Sequence, residues 1–113
     1  MARSSAAKKL AVCAPVFAAL GDEVRLRLVV RLCDEGPLSI SRLTEGTQVT
    51  RQAVSKHLQV LAEAGLVKDS WEGRERVFSL DARRLQRARE HLEVISTRWD
   101  QALGRLRQMV EDE

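Results

Sequence analysis

From Leu85 to Met109 an apolar side chain returns every third or fourth residue without a break. Leu85, Ala88, Leu92, Ile95, Trp99, Ala102, Leu106 and Met109 are spaced 3, 4, 3, 4, 3, 4, 3. This is a heptad pattern, the spacing that keeps one helical face against a partner helix. Leu103 and Val110 widen the stripe. A chain of 113 residues has one modest core and cannot cover such a helix along its whole length. The uncovered part would present a Trp- and Leu-bearing face to water, so a second copy of the helix is the economical partner. A homodimer is therefore expected, with Leu85, Leu92, Ile95, Trp99 and Leu106 in the interface. Packing of this face on the chain's own first helix alone is the competing reading.

Upstream the pattern is shorter and more heavily punctuated. A first helix is expected from about Ala6 to Leu20, with Pro15 bending it or marking its true start. Asp22 is a good N-cap for a second helix, in which Leu26, Val29, Val30 and Leu32 or Cys33 have helical spacing. Gly36-Pro37 ends it. Ser39 then caps a short helix carrying Ile40 and Leu43, Gly46 stops it, and Thr50 caps the next. In that helix Val54, Leu58 and Leu61 form a core stripe at i, i+4, i+7, and Gly65 ends it. After Gly65 the period changes. "LVKDSWEGRERVFSL" reads as two short strands around "EGRE", with Val67, Trp71, Val77 and Phe78 as apolar anchors.

Short helix, turn, second helix and basic-tipped hairpin together predict a winged helix-turn-helix. The fold is mainly α with a small β-hairpin, in the order α-α-α-α-β-β-α. One domain is expected over 1–113, with N-terminal helices in 6–35, the helix-turn-helix in 39–64, the wing in 66–80 and a dimerisation helix in 82–111.

The polar face of the helix after Thr50 has the chemistry of a DNA-reading surface. Arg51 and Lys56 are cationic donors, Gln52 and Gln59 carry amides that can pair with base edges, and Thr50 and Ser55 suit phosphates or bases. Arg74 at the hairpin tip and Arg76 just beyond it would reach an adjacent phosphate strand. His57 lies at the core edge of the same helix, where it either donates to DNA or braces the motif. Net charge of +3 and a pI near 9.3 tilt weakly toward an anionic partner. A solvated face of mixed charge is the alternative for the helix taken by itself. A winged helix used only for protein assembly is the alternative for the whole, and Arg51 and Lys56 count against it.

Other functional classes find little purchase. His57, His91, Cys13 and Cys33 stand outside any nucleophile or metal-ligand motif, and no Gly-rich phosphate loop is present. Neither catalysis nor a cofactor is expected. Arg3, Lys8 and Lys9 precede an apolar run that superficially resembles a signal peptide, but Pro15 interrupts the run and it flows into a helical pattern. No stretch approaches the roughly 20 apolar residues of a membrane span. A reducing cytosolic compartment without membrane partners is expected. For Cys13 and Cys33 two readings stand. They are a thiol or thiophilic-metal sensor, or they are small apolar residues, with Cys33 on or beside its helix's apolar stripe and Lys9 the one cation near Cys13.

"FAALGDEVRLRLVVRL", "GPLSISRL", "RQAVSKHLQVLAEAGLV" and "EGRERVFSL" resemble the ArsR/SmtB family of bacterial transcriptional repressors over about 17–80. "QAVSKHLQVLAEAGLV" is the specific part. The resemblance implies a homodimer through the first and last helices, bound to double-stranded DNA at an imperfect inverted repeat in a promoter. It implies repression by blocking polymerase, relieved by an effector. It places Gln52, Ser55, Lys56 and His57 at the recognition positions and makes the hairpin the wing. The sequence departs from the family's metal sensors. Ser39 and Ser41 stand where a Cys-x-Cys would, and the last helix has His91 without the Asp of an Asp-x-His pair at Arg89. Hydroxyls are poor ligands for thiophilic metals, so neither familiar metal site is expected.

Overall fold

Each of four helices begins where a polar side chain can take up a free backbone N–H. In the computed structural model, which describes residues 5–112, Asp22 accepts from the Arg25 N–H, Ser39 from Arg42, Thr50 from Ala53 and Asp81 from Arg83. These caps set the starts of α2 (Glu23–Glu35), α3 (Ile40–Glu45), α4 (Arg51–Glu63) and α5 (Ala82–Glu111). The first helix, α1, spans Ser5–Leu20 and runs through Pro15. Pro15 is therefore interior rather than a start. Arg3 and the side chain of Lys9 lie outside what the structure describes.

The strands are β1 (Leu38–Ser39), β2 (Val67–Glu72) and β3 (Glu75–Leu80), hydrogen-bonded in the order β1-β3-β2 and antiparallel throughout. The order along the chain is thus α-α-β-α-α-β-β-α. The sequence pattern missed β1 because two residues after Gly36-Pro37 show no alternation. Pairing of Leu38 with Phe78 and Ser39 with Val77 creates the strand, a tertiary effect. The β2–β3 turn is the two residues Gly73-Arg74, and Gly73 takes φ 64°, a conformation glycine adopts without strain.

The core lies between the helix-turn-helix, the hairpin base and α1–α2. Leu28, Leu43, Val54, Leu58, Leu61 and Leu66 are fully buried in it. In α2 the buried stripe is Leu28, Val29 and Leu32. Leu26, Val30 and Cys33 are exposed instead. "RLRLVVRLC" offers two apolar stripes at helical spacing, and contacts from outside the helix select the inward one. The turn of the motif is held by Arg31, whose Nη1 donates to the carbonyls of Arg42 and Leu43 at 3.1 Å each. These are orphan carbonyls at the end of α3. A Cβ on Gly46 would collide with that guanidinium, so the close approach requires glycine.

α1 packs against the first part of α5. There Cys13 Sγ meets His91 Nδ1, and both side chains are buried. Among the described residues His91 is the one buried polar side chain. Lys9 is the one cation near Cys13 along the chain, whereas the fold brings an imidazole to it from 78 positions away. Replacing Cys13 with Ala should strand the imidazole in an apolar setting and cost about 1–3 kcal/mol, while Cys13→Ser keeps a donor and should cost less. Urea unfolding at fixed protein concentration checks this, and an Ala variant as stable as wild type would leave the contact without energetic weight.

Beyond His91 the seam of α5 leaves the domain. Leu85 and Ala88 pack on the core, whereas Leu92, Trp99 and Leu106 are 51%, 65% and 57% exposed. Ile95, Leu103, Met109 and Val110 are exposed with them. The helix accounts for the molecule's elongated shape, 65 × 34 × 20 Å. Among the described residues no helix is long and apolar enough to cross a membrane.

Candidate nucleic-acid interface

Burying Val54, Leu58 and Leu61 turns the opposite face of α4 to solvent. Arg51, Gln52, Lys56 and Gln59 are exposed on it and Ser55 is half-buried. The hairpin stands beside this face. Between them runs an open groove of about 590 Å³, lined by Ser39, Ile40, Ser41, Arg51, Gln52, Ser55, Trp71, Arg74, Glu75 and Arg76. The fold thus gathers Arg51, Gln52, Ser55, Arg74 and Arg76 around one concave surface.

The remaining predicted residues sit differently. Thr50 Oγ1 accepts from the Ala53 N–H at 3.1 Å, so its hydroxyl serves the cap. Lys56 is exposed outside the groove lining. Gln59 lies farther along α4 and donates to Glu63 at 3.3 Å. His57 turns toward the domain. Its Nδ1 accepts from Arg25 Nη1 at 3.3 Å and lies 3.9 Å from Asp22 Oδ1. Arg25 Nε donates to the Ala19 carbonyl at 2.7 Å, so one guanidinium ties the end of α1 to α4. Of the two readings left open for His57, this geometry is that of a brace. The Arg25 backbone N–H, with the Arg25 guanidinium charge adding to it, holds the Asp22 carboxyl below its ordinary 3.8. The associated stabilisation is present above the unfolded value and is lost as pH falls through the folded one.

On the wing, Arg76 Nε donates to Asp69 Oδ2 at 2.7 Å and its guanidinium lies 5.1 Å from the Phe78 ring centroid. Arg76 is held in place, whereas Arg74 projects from the turn without an ion-pair partner among the described residues. Trp71 corrects the expectation of a core anchor: it is 68% exposed and lines the groove. Period-2 counting from Val67 puts Trp71 on the inward face, but by then the strand has run past the core. Ser39, which caps α3, and Ser41, at the second position of the absent Cys-x-Cys, also line the groove.

A helix exposing amides and cations, a flanking hairpin with an arginine tip and a groove between them define a winged helix-turn-helix of the DNA-binding class. The family description "Helix-turn-helix domain" matches residues 20–69. HTH-type transcriptional regulator Rv2034 of Mycobacterium tuberculosis is 39% identical over 95 residues, covering 84% of this chain and 85% of that protein. An ArsR-like transcriptional regulator from Rhodococcus sp. RHA1 superposes with a TM-score of 0.71 at 35% identity, over 90% of this chain and 95% of that one. The homodimeric winged helix-turn-helix DNA-binding domain Mb0332 of Mycobacterium bovis gives 0.64 at 26% identity, over 91% and 94%. The chain belongs to the ArsR family of helix-turn-helix transcriptional regulators. That family is one of DNA-binding regulators and is not an enzyme class.

Proposed function

We propose that the protein is a homodimeric repressor that binds an imperfect inverted repeat in a promoter and blocks polymerase until an effector releases it. The observation that carries this reading is the groove between α4 and the wing, in which Arg51, Gln52, Ser55, Arg74 and Arg76 converge. α4 enters the major groove, with Gln52 and Ser55 on base edges and Gln59 farther along. Arg51, Lys56, Arg74 and Arg76 take phosphates, which orient the protein without reading sequence. Thr50 and His57 hold α4 in place. In the dimer Leu92, Ile95, Trp99 and Leu106 meet their partner-chain equivalents, and Leu85 joins at the edge where it also serves its own core. Their exposure in one protomer and the homodimeric M. bovis relative support this pairing.

A mobility-shift assay with DNA from upstream of the protein's own coding region, run against excess random duplex, tests the reading. No retarded complex at low salt would sink it. The wing and recognition helix should then fail differently. Arg74→Ala should weaken operator and random DNA alike and lower the salt slope by about 1. Gln52→Ala should weaken the operator by about 1–3 kcal/mol more than random DNA. Equal losses on both duplexes for both variants would refute this division of labour.

A further inference from the structure

Side chains alternate along the wing strands, so Val67, Asp69 and Trp71 share a face with their cross-strand partners Leu80, Phe78 and Arg76. At the hairpin base this face is core, with Val67 and Phe78 buried. Farther out it leaves the core, and Arg76 covers the Phe78 ring and pairs with Asp69. Trp71 comes last, 68% exposed, on the groove whose opposite wall carries Arg51, Gln52 and Ser55. Most of the indole therefore makes no contact within its own chain. With Arg76 already paired to Asp69, Arg51 and Arg74 still outnumber Glu75, a balance that favours an anionic occupant of the groove. An anionic polymer that also offers apolar surface would match both features, and a nucleic-acid backbone does so by alternating phosphates with the C–H faces of its sugars.

Resting on the DNA-binding reading above, we propose that Trp71 is a DNA-contacting residue of the wing. Its indole packs on the deoxyribose face of the strand whose phosphates Arg74 and Arg51 hold. Sugars are alike at every step, so the contact adds affinity without sequence preference. It removes no counterion, so it adds nothing to the salt slope. This separates Trp71 from both Gln52 and Arg74.

The test titrates full-length protein against the upstream operator duplex and a random duplex of equal length over a range of salt. Trp71→Ala should lose about tenfold on both duplexes with the slope unchanged, the loss expected from roughly 55 Å² of apolar surface no longer buried. Its melting temperature should match wild type because the indole contributes little to the core. Trp71→Gln is the second variant, with the same expected loss, and Trp71→Phe should recover most of the affinity. Wild-type affinity on both duplexes would overturn the proposal. So would a loss confined to the operator, which would make Trp71 a base reader, or a slope reduced by about 1, which would mean that it acts through an arginine. Failure of the unsubstituted protein to bind either duplex would overturn the nucleic-acid reading itself, and is distinguished by appearing before any substitution is made.

Discussion

Leu92→Glu is expected to give a folded monomer that no longer retains its operator. Leu92 stands where α5 leaves its own domain, and its side chain is 51% exposed in the single protomer. A carboxylate there costs the isolated fold little. In the proposed dimer the same position is buried against a second α5, where an unpaired charge costs several kcal/mol. The two introduced carboxylates, related by the two-fold axis, would add like-charge repulsion. Operator recognition follows the dimer, because one recognition helix per protomer reads one half-site, about 34 Å from the other. A monomer keeps its groove but loses the simultaneous grip on both half-sites. Light scattering should therefore report half the wild-type mass, circular dichroism should keep its helical signal, and specific retardation should vanish while weak random binding persists. A variant that remains dimeric would remove Leu92 from the interface, and Trp99→Glu, farther along the seam at 65% exposure, should then also leave the dimer intact.

What the sequence made legible was local. Asp22, Ser39 and Thr50 are caps whose chemistry acts within three residues, and all three cap as expected. The stripe of Val54, Leu58 and Leu61 was legible because it is the one run of large apolar residues at helical spacing in α4, with Val60 alone off it and exposed. In α2 two apolar stripes compete, and helical spacing by itself does not say which turns inward. The contacts that sequence missed join distant positions. Leu38–Ser39 becomes a strand through β3, Cys13 finds His91, and Arg25 links Ala19 to His57. No spacing rule encodes such pairs. Trp71 was misplaced for a geometric reason, since period-2 counting gives its face but not where the core ends. Within the candidate site, Arg51, Gln52, Ser55 and Arg74 were legible because donors on the polar side of a core-anchored helix and at a hairpin tip face outward, whereas the hold of Asp69 and Phe78 on Arg76 was not.

The recognition helix owes its angle to the same stripe, so damage to the stripe should be distinguishable from damage to the reading face. Leu58 is fully buried midway along α4, between Val54 and Leu61. Leu58→Ala removes the apolar transfer term and leaves a cavity under the helix, a loss of about 2–5 kcal/mol. That is a large share of the roughly 5–15 kcal/mol that stabilises a single domain. At about 4–8 °C per kcal/mol for a domain near 100 residues, the melting temperature should fall by at least roughly 8 °C. DNA binding should then track the folded fraction. At low temperature the variant still binds, and its preference for operator over random DNA survives because the base-edge contacts of Gln52 and Ser55 remain. Gln52→Ala should show the opposite pattern, melting like wild type and losing preference at every temperature. Calorimetry paired with competition binding reads both axes, with protein concentration held fixed because dimerisation shifts the midpoint. A Leu58→Ala protein that melts within about 2 °C of wild type would mean that this side chain does not anchor the helix, since even the lower bound of the cavity cost predicts more.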